Sequence, residues 1–405
     1  MYHTYTLDNG LRVVHAPSDS PVVYLGYRIA AGSRHEEKGE EGLAHLCEHM
    51  TFKGTERRKA WQVVSGLERF GGDLNAFTTK EDTTFHAAVL SEYVDRALDL
   101  LTDIVFHSVY PESELEKERE VVCDEIESYN DSPAELIYDE FENILFAGHP
   151  LGHNILGEAE QVRRFTSDDV RRFTRRYYRP DNAVLFILGG APKKFPSIEA
   201  QPRQMANTPL AISSATIGQE MSFSSPVIRS RGTHQAHVMV GAQAYPIGHP
   251  LRIPLYIFNN IIAGPGMNAQ LNMELRERRG LVYTVEGSLV SYQDTGSWTL
   301  YYGCDPADID RCQRLVKSKI AHFIEKPLTE RQLLAAKKQL KGQLSVASDN
   351  REAFALDFSK TFLHLGTPRD VISLFPLIDA VTPEQLQQAV REVCSPERLL
   401  TLIYK

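Results

Sequence analysis

Cysteine is scarce. Five residues in 405 (Cys47, Cys123, Cys304, Cys312, Cys394) are odd in number, scattered, and contain no C-x-x-C pair. That argues against a disulfide scaffold and a thiolate zinc site, and makes a reducing cytoplasm the expected location. Long apolar runs are missing as well. No stretch approaches the ~18 residues of a membrane span, and the N-terminal MYHTYTLDNGLRVVHA lacks the basic-then-apolar order of a signal peptide. Positive charge is not in excess: 44 Lys and Arg against 53 Asp and Glu give a net charge of −9. A global grip on nucleic acid or an anionic membrane is thereby disfavoured. What remains, 42% hydrophobic and 24% charged residues, is the composition of a globular protein. At ~150 residues per domain the length corresponds to two or three domains.

Turn and cap signals give the organisation. Asp8-Asn9-Gly10 between two strand-like runs reads as a hairpin. Ala183-Val184-Leu185-Phe186-Ile187-Leu188 is apolar at every position, the mark of a buried strand. Residues 191–226 carry Pro192, Pro196, Pro202, Pro209 and Pro226, two Ser-Ser pairs and little periodicity, as expected of a linker. Thr166-Ser167-Asp168-Asp169 opens a helix that leads through Pro180 into the apolar strand. Thr382-Pro383-Glu384-Gln385 opens another that leads through Pro396 into Leu399-Leu400-Thr401-Leu402-Ile403. Thr166 and Thr382 lie 216 positions apart, as do Pro180 and Pro396. Chance could produce two such generic units, but their shared place at the end of each half favours duplication. The expected organisation is a first domain at 1–190, a linker at 191–226 and a homologous second domain at 227–405.

The chemistry concentrates in Gly42-Leu43-Ala44-His45-Leu46-Cys47-Glu48-His49-Met50. On a helix, His45 and His49 stand one turn apart and about 40° apart in azimuth, so both can face one metal ion. Glu48 lies about 60° to the other side of His45, within reach of a water on that ion, while Cys47 points away. This is H-x-x-E-H, the inverse of H-E-x-x-H. Two half-buried helical histidines are the plain alternative, and a third ligand would decide. Pro111 to Glu127 reads as an acid-rich helix on which Glu118, Val122 and Glu125 share one stripe. Two carboxylates on an apolar stripe are costly unless a cation meets them; an exposed acidic helix face is the competing reading.

With Glu125 76 residues after His49, the motif resembles that of the pitrilysin/insulinase family of zinc metallopeptidases. His49-Met50-x-Phe52-Lys53-Gly54-Thr55 and Gly71-Gly72-Asp73-Leu74-Asn75-Ala76 resemble the branch of the mitochondrial processing peptidases and their bacterial relatives. Leu275 to Tyr283 extends the likeness into the second half. The resemblance implies an α+β fold of two tandem domains, each a mostly antiparallel sheet backed by helices, forming half of a clamshell. It implies one Zn²⁺ per chain on His45, His49 and Glu125, Glu48 as general base and Glu118 as an assisting carboxylate. It makes the strand with Asn75, Ala76 and Phe77 a docking edge for a peptide, and Arg276 and Tyr283 substrate contacts.

The implied activity is a zinc endopeptidase acting on peptides or unfolded protein segments in a closed chamber. Relatives of double length close four such domains, so a chain with two is expected to form a homodimer, a heterodimer being the variant. No nucleic-acid or membrane partner is expected. A non-catalytic assembly subunit of the same fold is the rival function. A shift of 216 carries His45 to Ile261, His49 to Pro265 and Glu125 to Lys341, so the second half cannot repeat the site. His149-Pro150-Leu151-Gly152-His153 reads as a loop, and His234 and His237 as structural.

Overall fold

The computed structural model describes residues 2–195, 223 and 225–405. Most of the 191–226 linker therefore lies outside the described residues. Strands and helices sort into two compact units.

The first unit holds β1 (His3–Thr6), β2 (Arg12–Ala16), β3 (Val22–Ile29), β4 (Asp73–Thr78), β5 (Thr83–Leu90) and β6 (Ala183–Leu188). Its helices include α1 (Leu43–Thr51), α2 (Ala60–Glu68), α3 (Val94–His107) and α4 (Glu112–Asn130). After α5 (Pro133–Leu145), which belongs elsewhere, come α6 (Ala159–Val162) and α7 (Ser167–Tyr177). The second unit holds β7 (Val227–Arg229), β8 (Ala236–Ala244), β9 (Val282–Ser291), β10 (Gly296–Cys304) and β11 (Leu400–Tyr404). Its own half of the chain adds α8 (Arg252–Ala263), α9 (Ile309–Glu325), α10 (Glu330–Ala347), α12 (Val371–Asp379) and α13 (Pro383–Val393). Between α10 and α12 runs α11 (Arg351–Leu365).

The first sheet has the order β1-β2-β6-β3-β5-β4 and the second β7-β11-β8-β10-β9. In each, one pair is parallel, β2 with β6 and β11 with β7, and the other neighbours are antiparallel. The expected α+β class is present. The N-terminal hairpin forms too, with His3 opposite His15. Among the described residues, β4 and β9 are edges.

Two segments leave their own half of the chain. Residues 129–152, with α5, cluster with the second unit, and residues 348–370, with α11, cluster with the first. The strands explain why. In β6, Ala183, Leu185 and Ile187 enter the core beneath α1, α3 and α7, whereas Val184, Phe186 and Leu188 point to the opposite face. A strand apolar on both faces needs two covers. Phe358, Phe362 and Leu363 of α11 supply the second one. The mirror arrangement holds in the second unit. Leu136, Ile137, Phe141 and Leu145 of α5 cover Met239, Leu400, Leu402 and Tyr404, while α8, α9, α10 and α13 cover the other face.

Polar anchors fix both helices. Buried Arg28 on β3 donates to Ser359 Oγ at 3.0 Å and to the Leu356 carbonyl at 3.1 Å, and pairs with buried Asp82. His364 Nε2 lies 3.1 Å from Asp82. On α5, Glu140 receives Arg229 at 2.8 Å and the Tyr404 hydroxyl, and Glu142 receives Tyr292 and Ser297.

Candidate metal centre

The centre starts at a glycine. Gly42 has φ of +94°, and a Cβ there would lie 2.6 Å from the Leu156 carbonyl oxygen, so a side chain is excluded twice over. The backbone N–H groups of Gly42 and Ala44 donate to the buried Glu36 carboxylate at 3.1 and 2.7 Å. His153 Nε2 meets the same carboxylate at 2.9 Å. An acid at this end of α1 suits the helix dipole. Burial pushes the Glu36 carboxyl up to about 7 against the pull of these partners.

From that start, Leu43, Leu46, Cys47 and Met50 go into the core, which turns His45 and His49 towards α4 and Glu48 towards the end of β4. The two imidazole centroids are 4.7 Å apart. On α4, Val122 is fully buried, Glu118 is 6% exposed, and the Glu125 side chain is 46% exposed. The stripe is thus apolar at its middle and half open at Glu125. His45 Nε2 stands 3.8 Å from one Glu125 oxygen, and His49 Nε2 3.5 Å from the other. One donor atom from each of the three residues lies within 4.8 Å of the others, the single such cluster among the described residues.

Two imidazoles and a carboxylate suit a zinc ion that keeps an open position. Tetrahedral bonds of about 2.0–2.2 Å set ligand atoms roughly 3.3–3.6 Å apart, so the spacing fits after small movements. Burial, and then the neighbouring His49, push His45 down to about 4, which keeps that ring a neutral donor. His49 is pulled the other way. Burial lowers it, but Glu118 and then Glu125 outweigh burial and lift it to about 9 when only protein charges surround it. A cation between these groups would take the place of that proton.

Further contacts brace the set. His49 Nδ1 is 3.1 Å from Glu118, and Lys53 Nζ holds the other Glu118 oxygen at 2.6 Å. Glu48, 9% exposed, accepts a hydrogen bond from the Thr78 hydroxyl at 2.5 Å. Burial raises the Glu48 carboxyl, and the Thr78 bond offsets part of that rise. Lys53 stands inside the His49–Thr55 motif and Thr78 two residues past the Gly71–Ala76 motif, yet nothing in their spacing assigned them a partner. Their closeness to an acid on another element is set only by the fold.

The other expected residues fall into two groups. Asn75, Ala76 and Phe77 lie on the edge strand β4. Ala76 packs towards the α1 side, and Asn75 turns its Oδ1 to the Ala76 N–H at 2.9 Å. The Phe77 ring faces the opposite side, 5.6 Å from the Arg28 guanidinium. Arg276 and Tyr283 belong to the second unit. Arg276 is exposed on a π-helical turn, Asn272–Glu277, anchored by Glu274, which pairs with Arg279, Arg278 and Lys319. Tyr283 is 75% exposed at the start of β9, so it is not a packed strand tyrosine. His149 sits in a turn, its Nδ1 accepting the Leu151 N–H, and His237 Nδ1 pairs with the Tyr301 hydroxyl.

Fold and site together define an insulinase-type metallopeptidase scaffold. The chain belongs to the insulinase family, peptidase family M16: residues 12–159 match its first domain and residues 164–340 the peptidase M16 inactive domain. It is 31% identical over its whole length to 98% of the uncharacterized zinc protease YmxG of Bacillus subtilis. An uncharacterized zinc protease of Streptomyces coelicolor is 29% identical over 98% of this chain and 88% of its own. A solved structure of a Helicobacter pylori protease shares the fold with a TM-score of 0.90 at 22% identity, covering 100% of this chain and 99% of that one. No helix among the described residues is long and apolar enough to cross a membrane.

Proposed function

We propose that this protein is a zinc-dependent endopeptidase that hydrolyses peptides or unfolded protein segments. The convergence of His45, His49 and Glu125 within 4.8 Å carries this reading, beside a carboxylate, Glu48, that belongs to no ion pair with them. His45, His49 and Glu125 are the ligands of one zinc ion. When bound, the ion supplies an acidified water and polarises the scissile carbonyl. Glu48 would take a proton from the attacking water and pass it to the departing amine; burial raises its carboxyl, which favours that exchange. Glu118, held by Lys53, fixes the His49 ring through Nδ1. The free side of β4 receives the substrate as an added strand, so that backbone hydrogen bonds give affinity with little sequence preference. Arg276 and Tyr283, both exposed, are the substrate contacts of the second unit. A second copy of the chain completes the chamber.

The test is metal analysis of the purified protein beside cleavage of a fluorogenic peptide. Stoichiometric zinc, loss of cleavage with chelator and an inactive, zinc-loaded Glu48→Gln variant are the expected results. Cleavage by Glu48→Gln at the wild-type rate would overturn the assignment of the base. A protein without bound metal or peptidase activity would favour the assembly-subunit reading. Sedimentation velocity checks the dimer.

A further inference from the structure

The base assigned above does not stand alone. Its carboxylate is bonded to the last residue of the strand assigned to substrate docking. The Thr78 hydroxyl donates to Glu48 Oε2 at 2.5 Å and lies 3.3 Å from the Thr83 hydroxyl. Thr83 sits directly opposite Thr78 in the β4–β5 pair and donates its own proton to the Ala31 carbonyl at 2.8 Å. Each hydroxyl has a single proton, and the Thr78 proton goes to Glu48 while the Thr83 proton goes to Ala31, so the two oxygens are close neighbours and Glu48 is the acceptor to which Thr78 is committed.

The turn that follows Thr78 cannot move easily. Ser33 and Arg34 donate their N–H groups to the Thr79 and Lys80 carbonyls at 3.1 and 2.9 Å. A Cβ on Gly32 would stand 2.2 Å from the Thr79 carbonyl oxygen, so the two segments touch backbone to backbone. Lys80, Glu81 and Asp82 are all buried. Glu81 pairs with Arg34 at 2.5 Å, and Asp82 with Arg28 and His364. Three buried charges, each with an opposite partner or a carbonyl, over-determine this turn.

We infer that Thr78 is a positioning residue that locks the Glu48 carboxylate in register with the docking edge. This rests on the reading of Glu48 as base and β4 as docking strand. The backbone of Thr78 lies in the strand against which the peptide is laid, and its side chain holds the group that must meet the attacked carbonyl. A substrate seated along β4 is thereby seated at a fixed offset from the base. Without the hydroxyl, the edge still binds peptide, but Glu48 is free to rotate, and a misplacement of about 1 Å costs on the order of 100-fold in rate.

The experiment compares Thr78→Val, which keeps the shape, Thr78→Ser, which keeps the hydroxyl, and Glu48→Gln, each as full-length zinc-loaded enzyme on a fluorogenic peptide. Expected for Thr78→Val is a kcat lowered about 10- to 100-fold, with KM within twofold and zinc content and melting temperature unchanged. Thr78→Ser should recover kcat to within about threefold. A wild-type kcat in Thr78→Val, a loss confined to KM, or no rescue by Thr78→Ser would each overturn the inference. The two readings fail separately. If Glu48→Gln is inactive while Thr78→Val runs at full rate, only the role of Thr78 falls; if Glu48→Gln is fully active, the base itself was wrongly assigned.

Discussion

Strand for strand, β2, β6, β3, β5 and β4 of the first unit match β7, β11, β8, β10 and β9 of the second. Each sheet has its parallel pair in the same place, and each has a helix from the other half of the chain on its outer face. The chemistry differs completely. Where α1 carries His45, Glu48 and His49, the counterpart helix α8 carries Asn259, whose amide accepts from Trp298 Nε1 and donates to the Gly287 carbonyl, both at 3.0 Å. Pro265, the counterpart of His49, lies beyond the end of α8. Lys341, the counterpart of Glu125, pairs with Asp379 at 2.7 Å. One scaffold thus joins this helix to the edge strand with a neutral amide, and the other with an acid, Glu48 to Thr78, beside imidazoles that face α4. The cores give each unit its stability; the site is a small set of polar residues added to one of them.

The comparison breaks most visibly at the ligands. His49→Ala should lose zinc and peptidase activity to background while the second unit stays folded, since that unit has a hydrophobic core of its own. Metal analysis and circular dichroism of the variant check this. In the other direction, Asn259→Ala should leave zinc content unchanged and cost about 1–3 kcal/mol of stability, because it strands the buried Trp298 N–H and the Gly287 carbonyl. Zinc loss in Asn259→Ala would show that the units are not chemically independent.

A comparably large effect is expected at the anchor of α11. Asp82→Ala leaves Arg28 buried and uncompensated, at a cost of about 3–5 kcal/mol, read by urea denaturation. Burial alone would raise the Asp82 carboxyl, but Arg28 and then His364 outweigh it and hold it well below the usual range. A depressed carboxyl contributes stability above its unfolded value of about 3.9 and gives it up as the pH falls below that. The wild type should therefore lose stability below about pH 4 more steeply than Asp82→Ala does. Parallel acid titrations would sink the claim.

Smaller again is the brace on His49. Lys53→Met and Glu118→Gln should each weaken zinc binding about 10- to 100-fold, measured by competition with a chromogenic chelator. No residue of the second unit should do the same.

Legibility in the sequence followed range. The hairpin at Asp8-Asn9-Gly10, the caps at Thr166 and Thr382 and the H-x-x-E-H helix are local patterns, and each is present. Glu125 required the stripe through Val122 and the family likeness together, because nothing local joins α4 to α1. The exchange of α5 and α11 was out of reach in detail. An amphipathic helix declares that it has a buried face, not which sheet takes it. One sign of it was available, since Ala183–Leu188 is apolar on both faces and so demanded a second cover. Thr78 and Lys53 escaped because a threonine at a strand end and a lysine after a helix are ordinary until the fold sets an acid beside them.

The finest test of the duplication lies at the two caps. Thr166 accepts the Asp169 N–H at 3.3 Å and its own N–H reaches the Asp169 carboxylate at 2.8 Å. Thr382 accepts the Gln385 N–H at 3.3 Å and returns its N–H to the Gln385 side chain at 3.0 Å. These are the same box on the same helix of each repeat. Asp169 is one methylene shorter than Gln385 and carries a charge, which adds a small dipole term at the first unit's helix. Thr166→Ala and Thr382→Ala should therefore each cost about 1 kcal/mol, with Thr166→Ala the larger by a few tenths at low salt and the two converging at high salt as the charge is screened. Neither should move kcat or zinc content. A cost in one unit and none in the other would mean that the second cap is a relic of ancestry that no longer holds its helix.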